Sequence, residues 1–337
     1  MMKIQIESRG SLNDFITHLN FIYKLKQRYN LEISLVRNSM TQLELEVIRR
    51  CEVVDSYFTE ESAWKEEKQN VKLVMQYVPY LTQEDQSVQE MPQLRKLLLS
   101  WRKFQEEMER KRYIEHPLYD ANIFVYGMNN RMNCLELTDP SGDLGIRKNY
   151  ALPLKSNVKD ITSIYGNYIT IHAPDHKYTR TREWKTDFYN KLIDGLHDEF
   201  PDYNIIQIGM EPGKPLKNID VFLVERLSPS DFCDLLGAAY LHVDTIPDYA
   251  HLRAAMGRIS CMLWGSMPYK FFSLPRDINV YADSCKHWCM NVNDMWMESC
   301  LLGDVRCLHD ITPENVLMNI KKNRDRLLQD GGFGENL

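Results

Sequence analysis

What this sequence lacks narrows it first. Basic residues do not outnumber acidic ones: 41 Lys and Arg stand against 47 Asp and Glu, a formal net charge of −6 at pH 7. That balance argues against nucleic acid as a partner, because a general grip on phosphates needs a surplus of cations. No apolar run reaches the ~18 residues that a membrane-spanning helix requires, so any membrane contact is at most peripheral. The opening MMKIQIESRG alternates as a strand and has no signal-peptide apolar region, so a soluble, cytoplasmic protein is expected. P-loop, HExxH, GxSxG and GxGxxG patterns are missing. With them go the usual signatures of phosphate-loop, zinc-protease, serine-hydrolase and dinucleotide chemistry.

What is present has the rhythm of two α/β halves. The chain has 337 residues, 44% of them hydrophobic, which is enough for two packed domains. Lys3 to Glu7 and Leu31 to Val36 read as strands around an amphipathic helix carrying Phe15, Leu19, Ile22 and Leu25 on one face. Leu43 to Arg49 continues as helix and Val53 to Phe58 as strand, a βαβ order that predicts a parallel sheet. Residues 60–117 break this order and read as a helical insertion, with Leu94, Leu97, Leu98, Trp101 and Phe104 striping a helix over residues 94–113. Ala121 to Tyr126 reads as a buried strand, and residues 149–165 as an interdomain linker. The pattern restarts at Tyr168 to His172, then Tyr203 to Ile208 ending at Gly209, Leu241 to Val243, and Ile259 to Leu263. The expected domains are residues 1–160 and 161–337.

Two turns carry candidate chemistry. Tyr240 to Gly265 reads strand, turn, helix, strand, and in an open α/β sheet such a turn lies at the ligand crevice. Helix N-terminal amides there favour anions, so Asp244 and Thr245 mark a phosphate turn or an ordinary capped βα turn. After the strand at residues 168–172 come Lys177, Arg180, Thr181 and Arg182, just before Trp184. These are a solvated basic loop or a diphosphate clamp of guanidinium forks and a hydroxyl. In the first half, Gly10, Ser11 and Asn13 lead to Asp14 where the first helix opens. Asp14 is either a first-turn acid complementing the helix dipole or a general base at the crevice.

The eight cysteines fall into two sets. Cys51, Cys134, Cys233 and Cys261 are scattered among apolar residues and read as small core side chains. Cys285, Cys289, Cys300 and Cys307 lie within 23 residues. Four thiolates so close can enclose a tetrahedral Zn²⁺ or an iron, a closed shell with no open position and therefore structural. His287 and His309 flank the set as substitutes for a cysteine.

Together these pieces resemble the heptosyltransferase-like glycosyltransferases, family 9 of the GT-B enzymes. RGSLNDFITHLNFIYKLKQRYN is similar to the family's opening G-S-L-G-D turn and helix. REWKTDFYNKLIDGL is similar to its basic residue, Trp and helix. VDTIPDYAHLRAAMG is similar to its D-[ST]-G…H-L-A-A-A-L-G signature, and CLLGDVRCLHDITPENVLMNI to its C-terminal block. The resemblance implies an α/β GT-B fold, two Rossmann-like domains facing a central cleft, the first for the acceptor and the second for the donor. It implies inverting, metal-independent transfer, with Asp14 as base and Arg182 on the donor diphosphate. The Asp244–Thr245 turn would bind phosphate, and His251 matches the signature histidine. The donor implied is a nucleotide-sugar, ADP-heptose, and the acceptor a bacterial glycan, such as lipopolysaccharide, or a protein hydroxyl; an oligomer is compatible with all of this.

Departures mark where the family pattern is altered. The Gly after Asp-Thr is Ile246, two extra residues precede His251, and Asn13 replaces a Gly. The phosphate turn must therefore be reshaped. The four-cysteine set also resembles the autotransporter heptosyltransferases, which modify protein Ser/Thr and bind iron, although their extra N-terminal domain has no clear counterpart. Two readings of other classes stand beside the enzyme: a catalytically silent nucleotide-sugar or glycan-binding module, and a metal-stabilised assembly protein that binds no nucleotide.

Overall fold

The structure is a computed structural model that describes residues 1–59, 68–114, 122–175, 180–285, 288–290 and 295–331. It divides into two compact units, Met1–Lys155 and Ser156–Leu337. Both are α/β, as the sequence predicts.

Unit 1 runs β1 (Met2–Ser8), α1 (Leu12–Arg28), β2 (Leu31–Val36), α2 (Gln42–Cys51), β3 (Ser56–Phe58), β4 (Val71–Met75) and β5 (Pro79–Glu84). It continues through a 3₁₀ turn to α3 (Pro92–Arg110), α4 (Ile123–Asn129) and α5 (Cys134–Leu137). The sheet order is β3-β2-β1-β4-β5, parallel except for the β4–β5 pair. The apolar face of α1 does what its spacing predicts: Phe15, Leu19, Ile22 and Leu25 are fully buried. Each such side chain contributes about 1.5–3 kcal/mol through the water it leaves. In α3, Leu94, Leu97, Leu98 and Trp101 are likewise buried, and the Trp101 ring lies 5.4 Å from Phe21 of α1.

Two expectations need correction here. The supposed helical insertion over 60–117 contains β4, which pairs in parallel with β1 and is part of the sheet itself. Ala121 to Tyr126 is not a strand: α4 starts at Ile123, because a short apolar run fits a buried helix turn as well as a buried strand. The linker expected over 149–165 does hold the junction between the two units, at Lys155 and Ser156, and it is structured. Asn20 Oδ1 accepts the N–H groups of Ala151 and Leu152 at 2.8 and 3.2 Å, and residues 158–165 form a helix.

Unit 2 runs α6 (Val158–Tyr165), β6 (Tyr168–His172), a 3₁₀ turn (Arg180–Arg182), α7 (Thr186–Glu199), β7 (Asn204–Ile208) and β8 (Val221–Phe222). Then follow α8 (Pro229–Ala238), β9 (Leu241–Asp244), α9 (Pro247–Ala255), β10 (Ser260–Trp264), α10 (Tyr269–Phe272) and β11 (Ile278–Tyr281). The last elements are α11 (Arg306–His309), α12 (Pro313–Lys322) and α13 (Arg324–Gly331). The sheet order is β11-β10-β9-β6-β7-β8, all parallel. From β6 the chain winds outward one way through β7 and β8, then returns to build β9, β10 and β11 on the other side. The switch point therefore lies between the C-terminal ends of β6 and β9, where ligands of open parallel sheets bind. On one face of these strands Ile169, Ile171, Leu241 and Val243 enter the apolar core, with Trp184 and Leu192. Trp184 is fixed there by a 2.8 Å hydrogen bond from its indole N–H to the Ile311 carbonyl.

Among the described residues, no helix is long and apolar enough to cross a membrane.

Candidate functional site

The period of a strand puts Thr170 and His172 of β6, and His242 and Asp244 of β9, on the face opposite that core. Pairing Thr170 with His242 makes His172 and Asp244 neighbours at the switch point. His172 Nδ1 lies 3.0 Å from both oxygens of Asp244. Asp244 Oδ2 lies 3.2 Å from His242 Nε2, and His242 Nδ1 lies 3.0 Å from the Thr170 hydroxyl. His172 is 2% exposed and Asp244 and His242 not at all. On the far side of His172, Nε2 is 3.3 Å from Glu211 Oε2, within ion-pair range but off hydrogen-bond geometry, since Nε2 has no hydrogen-bond partner. Glu211 in turn accepts the Tyr249 hydroxyl at 2.8 Å.

This arrangement sets the charges. Burial pulls His172 toward neutrality, but the charge and hydrogen bond of Asp244, then the nearby Glu211 carboxylate, outweigh it and carry its pKa up to about 10. Burial pushes the Asp244 carboxyl up, and the two histidines overcome that and hold it well below the usual carboxylate range. His242 is lowered by burial despite its bond to Asp244. His172 is thus the imidazolium, Asp244 its carboxylate, and His242 a neutral imidazole donating to it.

Asp244 has a second task. Its Oδ1 accepts the backbone N–H groups of Thr245 and Ile246 at 2.7 and 2.9 Å. Ile246, where the family pattern has Gly, is extended (φ −117°) and forms the N-cap of α9 without any side-chain cap. The turn is closed by its own aspartate, so those two amides are already occupied. Of the amides in the turn and helix N-terminus expected to meet phosphate, those of Thr245 and Ile246 are thus held by Asp244, and the rest belong to the first turn of α9.

The remaining expected donor residues divide. Lys177 lies outside the described residues, as does His287. Arg180 is exposed, Thr181 buried and Arg182 half-buried, with the Arg182 guanidinium 5.3 Å from the Trp296 ring centre. Gly209 follows β7 against His172: a Cβ there would sit 3.3 Å from His172 Cδ2. His251 is buried in α9, 3.0 Å from the Phe272 carbonyl, and burial lowers it to about 4; this is a neutral packing position.

In unit 1 the turn from β1 into α1 is built differently. Gly10 has φ +95°, and a Cβ would lie 2.2 Å from Asp14 Oδ2, so only glycine fits. Asp14 Oδ2 accepts the Ser11 N–H at 2.9 Å and the Ser11 hydroxyl at 3.2 Å, and Asn13 Nδ2 reaches Asp14 Oδ1 at 3.3 Å. The carboxylate at the third helical position is thus one half of a capping box. Arg37, at the end of β2, was not singled out from sequence. Its Nη2 donates to the Gly10 carbonyl and pairs with Glu44, each at 2.7 Å, and its guanidinium lies 5.1 Å from the Phe15 ring.

The cysteines keep their division. Cys51, Cys134, Cys233 and Cys261 are buried, and neither they nor the four clustered thiols form a disulfide. Burial raises Cys307 to about 12, helped by the charges of Cys285, Cys289 and Cys300. Burial also raises Cys289, with Cys300 and Cys285 adding to it. For Cys300 burial acts upward, and backbone N–H groups of residues 302–305 outweigh it and lower the thiol. These four thiols sense one another, and as a donor set they suit a soft ion. Yet among the described residues no three ligating side chains are arranged to hold a metal.

The His172–Asp244 pair was the site feature not read from sequence. Its signal was the i, i+2 repeat of Thr170–His172 and His242–Asp244 inside two buried strands, which becomes one cluster only once β6 is paired with β9.

No protein-family model matches the sequence, and no curated protein does. Solved structures do match in fold. Escherichia coli ADP-heptose lipopolysaccharide heptosyltransferase II aligns over 98% of this chain and 99% of its own, at 14% identity and a TM-score of 0.58. The iron-containing dodecameric glycosyltransferase TibC of enterotoxigenic E. coli aligns over 97% and 76%, at 11% identity and TM-score 0.66. A family 9 glycosyltransferase of Veillonella parvula aligns over 97% and 98%, at 11% and 0.60. The resemblance read in the motifs is thus met in the fold: this chain has the two α/β units of the GT-B heptosyltransferases.

Proposed function

We propose that this chain is an inverting GT-B glycosyltransferase that moves a sugar, heptose from ADP-heptose, onto a hydroxyl of a bacterial glycan, lipopolysaccharide among them, or of a protein. The observation that supports it best is the nearly complete alignment of both units with heptosyltransferases, joined to a charged cluster at the unit 2 switch point. Among solved structures of this fold are TibC in complex with ADP-D-β-D-heptose and E. coli WaaC with ADP.

In this reading residues 1–160 take the acceptor, with Gly10, Ser11 and Asn13 shaping the turn, and residues 161–337 take the donor. Asp14 accepts the proton of the acceptor hydroxyl as its oxygen forms a bond to the anomeric carbon. The bond from that carbon to the diphosphate oxygen breaks, and the nucleoside diphosphate leaves with the electron pair. Inversion follows from attack opposite the leaving group. Arg182, with Lys177 and Arg180, neutralises the diphosphate, while Thr181, buried beside them, belongs to their support. No catalytic metal is needed for this step. Cys285, Cys289, Cys300 and Cys307 would hold a structural Zn or Fe outside it. A cytoplasmic location follows from a nucleotide-sugar donor, and an oligomer remains compatible.

Thermal unfolding with ADP, UDP, GDP and CMP tests the donor half. Ligand at 100 times its dissociation constant adds about 2.7 kcal/mol, a rise of about 5–11 °C, that Arg182→Ala should abolish. Transfer or slow hydrolysis of ADP-heptose, lost in Asp14→Ala, tests the base. One observation favours a second reading, a silent nucleotide-sugar or glycan-binding module: Asp244 already occupies the two turn amides. Nucleotide binding without turnover, unchanged by Asp14→Ala, would select it.

A further inference from the structure

The cysteine-bearing stretch between β11 and α11 is fastened to both sides of the donor-side residues. Thr181 directs two groups at one carbonyl: its N–H and its hydroxyl each lie 3.2 Å from the Met297 oxygen. The same hydroxyl lies 3.1 Å from Ser266 Oγ. A hydroxyl has one proton, and Thr181 can give it either to the Met297 carbonyl or to Ser266 Oγ. Ser266, just beyond β10, receives the other arm of the stretch through its carbonyl, from the N–H groups of Cys289 and Met290 at 2.9 and 3.3 Å. Thr181 and Ser266 are each 1% exposed. The preceding Gly265 has no room for a side chain, since a Cβ would meet Leu308 Cγ at 2.6 Å and the Thr181 carbonyl at 3.2 Å. Leu308 directly follows Cys307.

The bonds at Met297 fix the register of its neighbour Trp296, which is buried beneath the Arg182 guanidinium. An arginine held over an indole keeps its charge and loses less rotamer freedom when it meets an anion. We infer that Thr181 and Ser266 are positioning residues that bind the cysteine-bearing stretch to the end of β10 and thereby aim Arg182 at the donor diphosphate. The inference rests on the donor reading above and adds which residues act through Arg182. It gives the stretch a task beyond support, because a change at Cys289 or Cys307 is passed through Ser266 and Leu308 to the same point.

The test is calorimetric titration of the full chain with whichever of ADP, UDP or GDP the wild type prefers, and with the matching nucleoside. Thr181→Val and Ser266→Ala should weaken the diphosphate about five- to tenfold, the loss of a hydrogen bond or two, and leave the nucleoside unchanged. Thr181→Ser should bind as wild type. Thr181→Val should add nothing in an Arg182→Ala background. Ser266→Ala, which removes one oxygen, carries the test if Thr181→Val does not fold. Wild-type affinity in both variants overturns the inference, as does an equal loss with and without Arg182, or an equal loss for the nucleoside. A wild type that binds no nucleoside diphosphate overturns the donor reading itself, and this inference with it.

Discussion

Both units end a central parallel strand in a turn that opens a helix, and each turn carries an aspartate, yet the two aspartates are held in opposite ways. Asp14 lies inside its helix and reaches back to the Ser11 N–H. Asp244 lies on its strand and reaches forward to the N–H groups of Thr245 and Ile246. Around Asp14 the tight fit comes from backbone: a positive-φ glycine with no space for a Cβ. Around Asp244 it comes from charge: a buried imidazolium on one side and a neutral imidazole on the other. The first turn is sterically specified and leaves its carboxylate buried but for 7%. The second is electrostatically specified and buries its carboxylate entirely. A carboxylate locked in an ion pair, as Asp244 is, suits holding geometry rather than proton transfer.

Substitutions should separate the two modes. The largest effect is expected from Asp244→Asn, which keeps an Oδ1 acceptor for the two amides but takes the main counter-charge from the buried His172 imidazolium. Breaking a buried pair in this way costs about 3–5 kcal/mol, to be read from the urea midpoint of unfolding. Next comes Gly10→Ala. Strain at positive φ plus the clash with Asp14 should cost about 1–3 kcal/mol, and an unchanged midpoint would contradict the steric account.

The pH dependence is subtler. His172 has a folded pKa of about 10 against about 6.5 when unfolded. Between those values the folded state holds the extra proton, so stability from this group is full below about 6.5 and declines as pH rises toward 10. One proton corresponds to a slope of at most about 1.4 kcal/mol per pH unit. His172→Gln should remove that slope; a variant with the wild-type slope would show that another group causes it. Asp244, held low, works the other way, and its contribution falls away in acid below about pH 4. Smallest in stability is Asp14→Ala, the loss of half a capping box at about 1 kcal/mol. If Asp14 is the base, the same change should lower transfer at least about 100-fold, so stability and activity would part company there and nowhere else in the series.

Much of this was open to view in the sequence. Phe15, Leu19, Ile22 and Leu25 declared a helix face, and all four are buried. The βα rhythm gave two α/β units, because strand and helix periods are local properties of the chain. Gly10, Ser11 and Asp14 were legible as a turn because a capping box spans only four residues. Strand β4 was hidden: Val71 to Met75 is short and follows a polar stretch, and only its pairing with β1 makes it a central strand. Arg37 was invisible for the same reason, since its partners Gly10 and Glu44 come from two other elements.

By itself the sequence determined most of the strands and helices, the two-unit α/β organisation, the buried helix faces and the local turn at Gly10, all set by spacing and by backbone sterics within a few residues. Only the tertiary structure decided which polar residues meet. His172 and Asp244 stand 72 residues apart, and nothing local to either reveals the other. The strand order brings them side by side at the switch point, away from water, and there an ordinary histidine becomes a fixed cation.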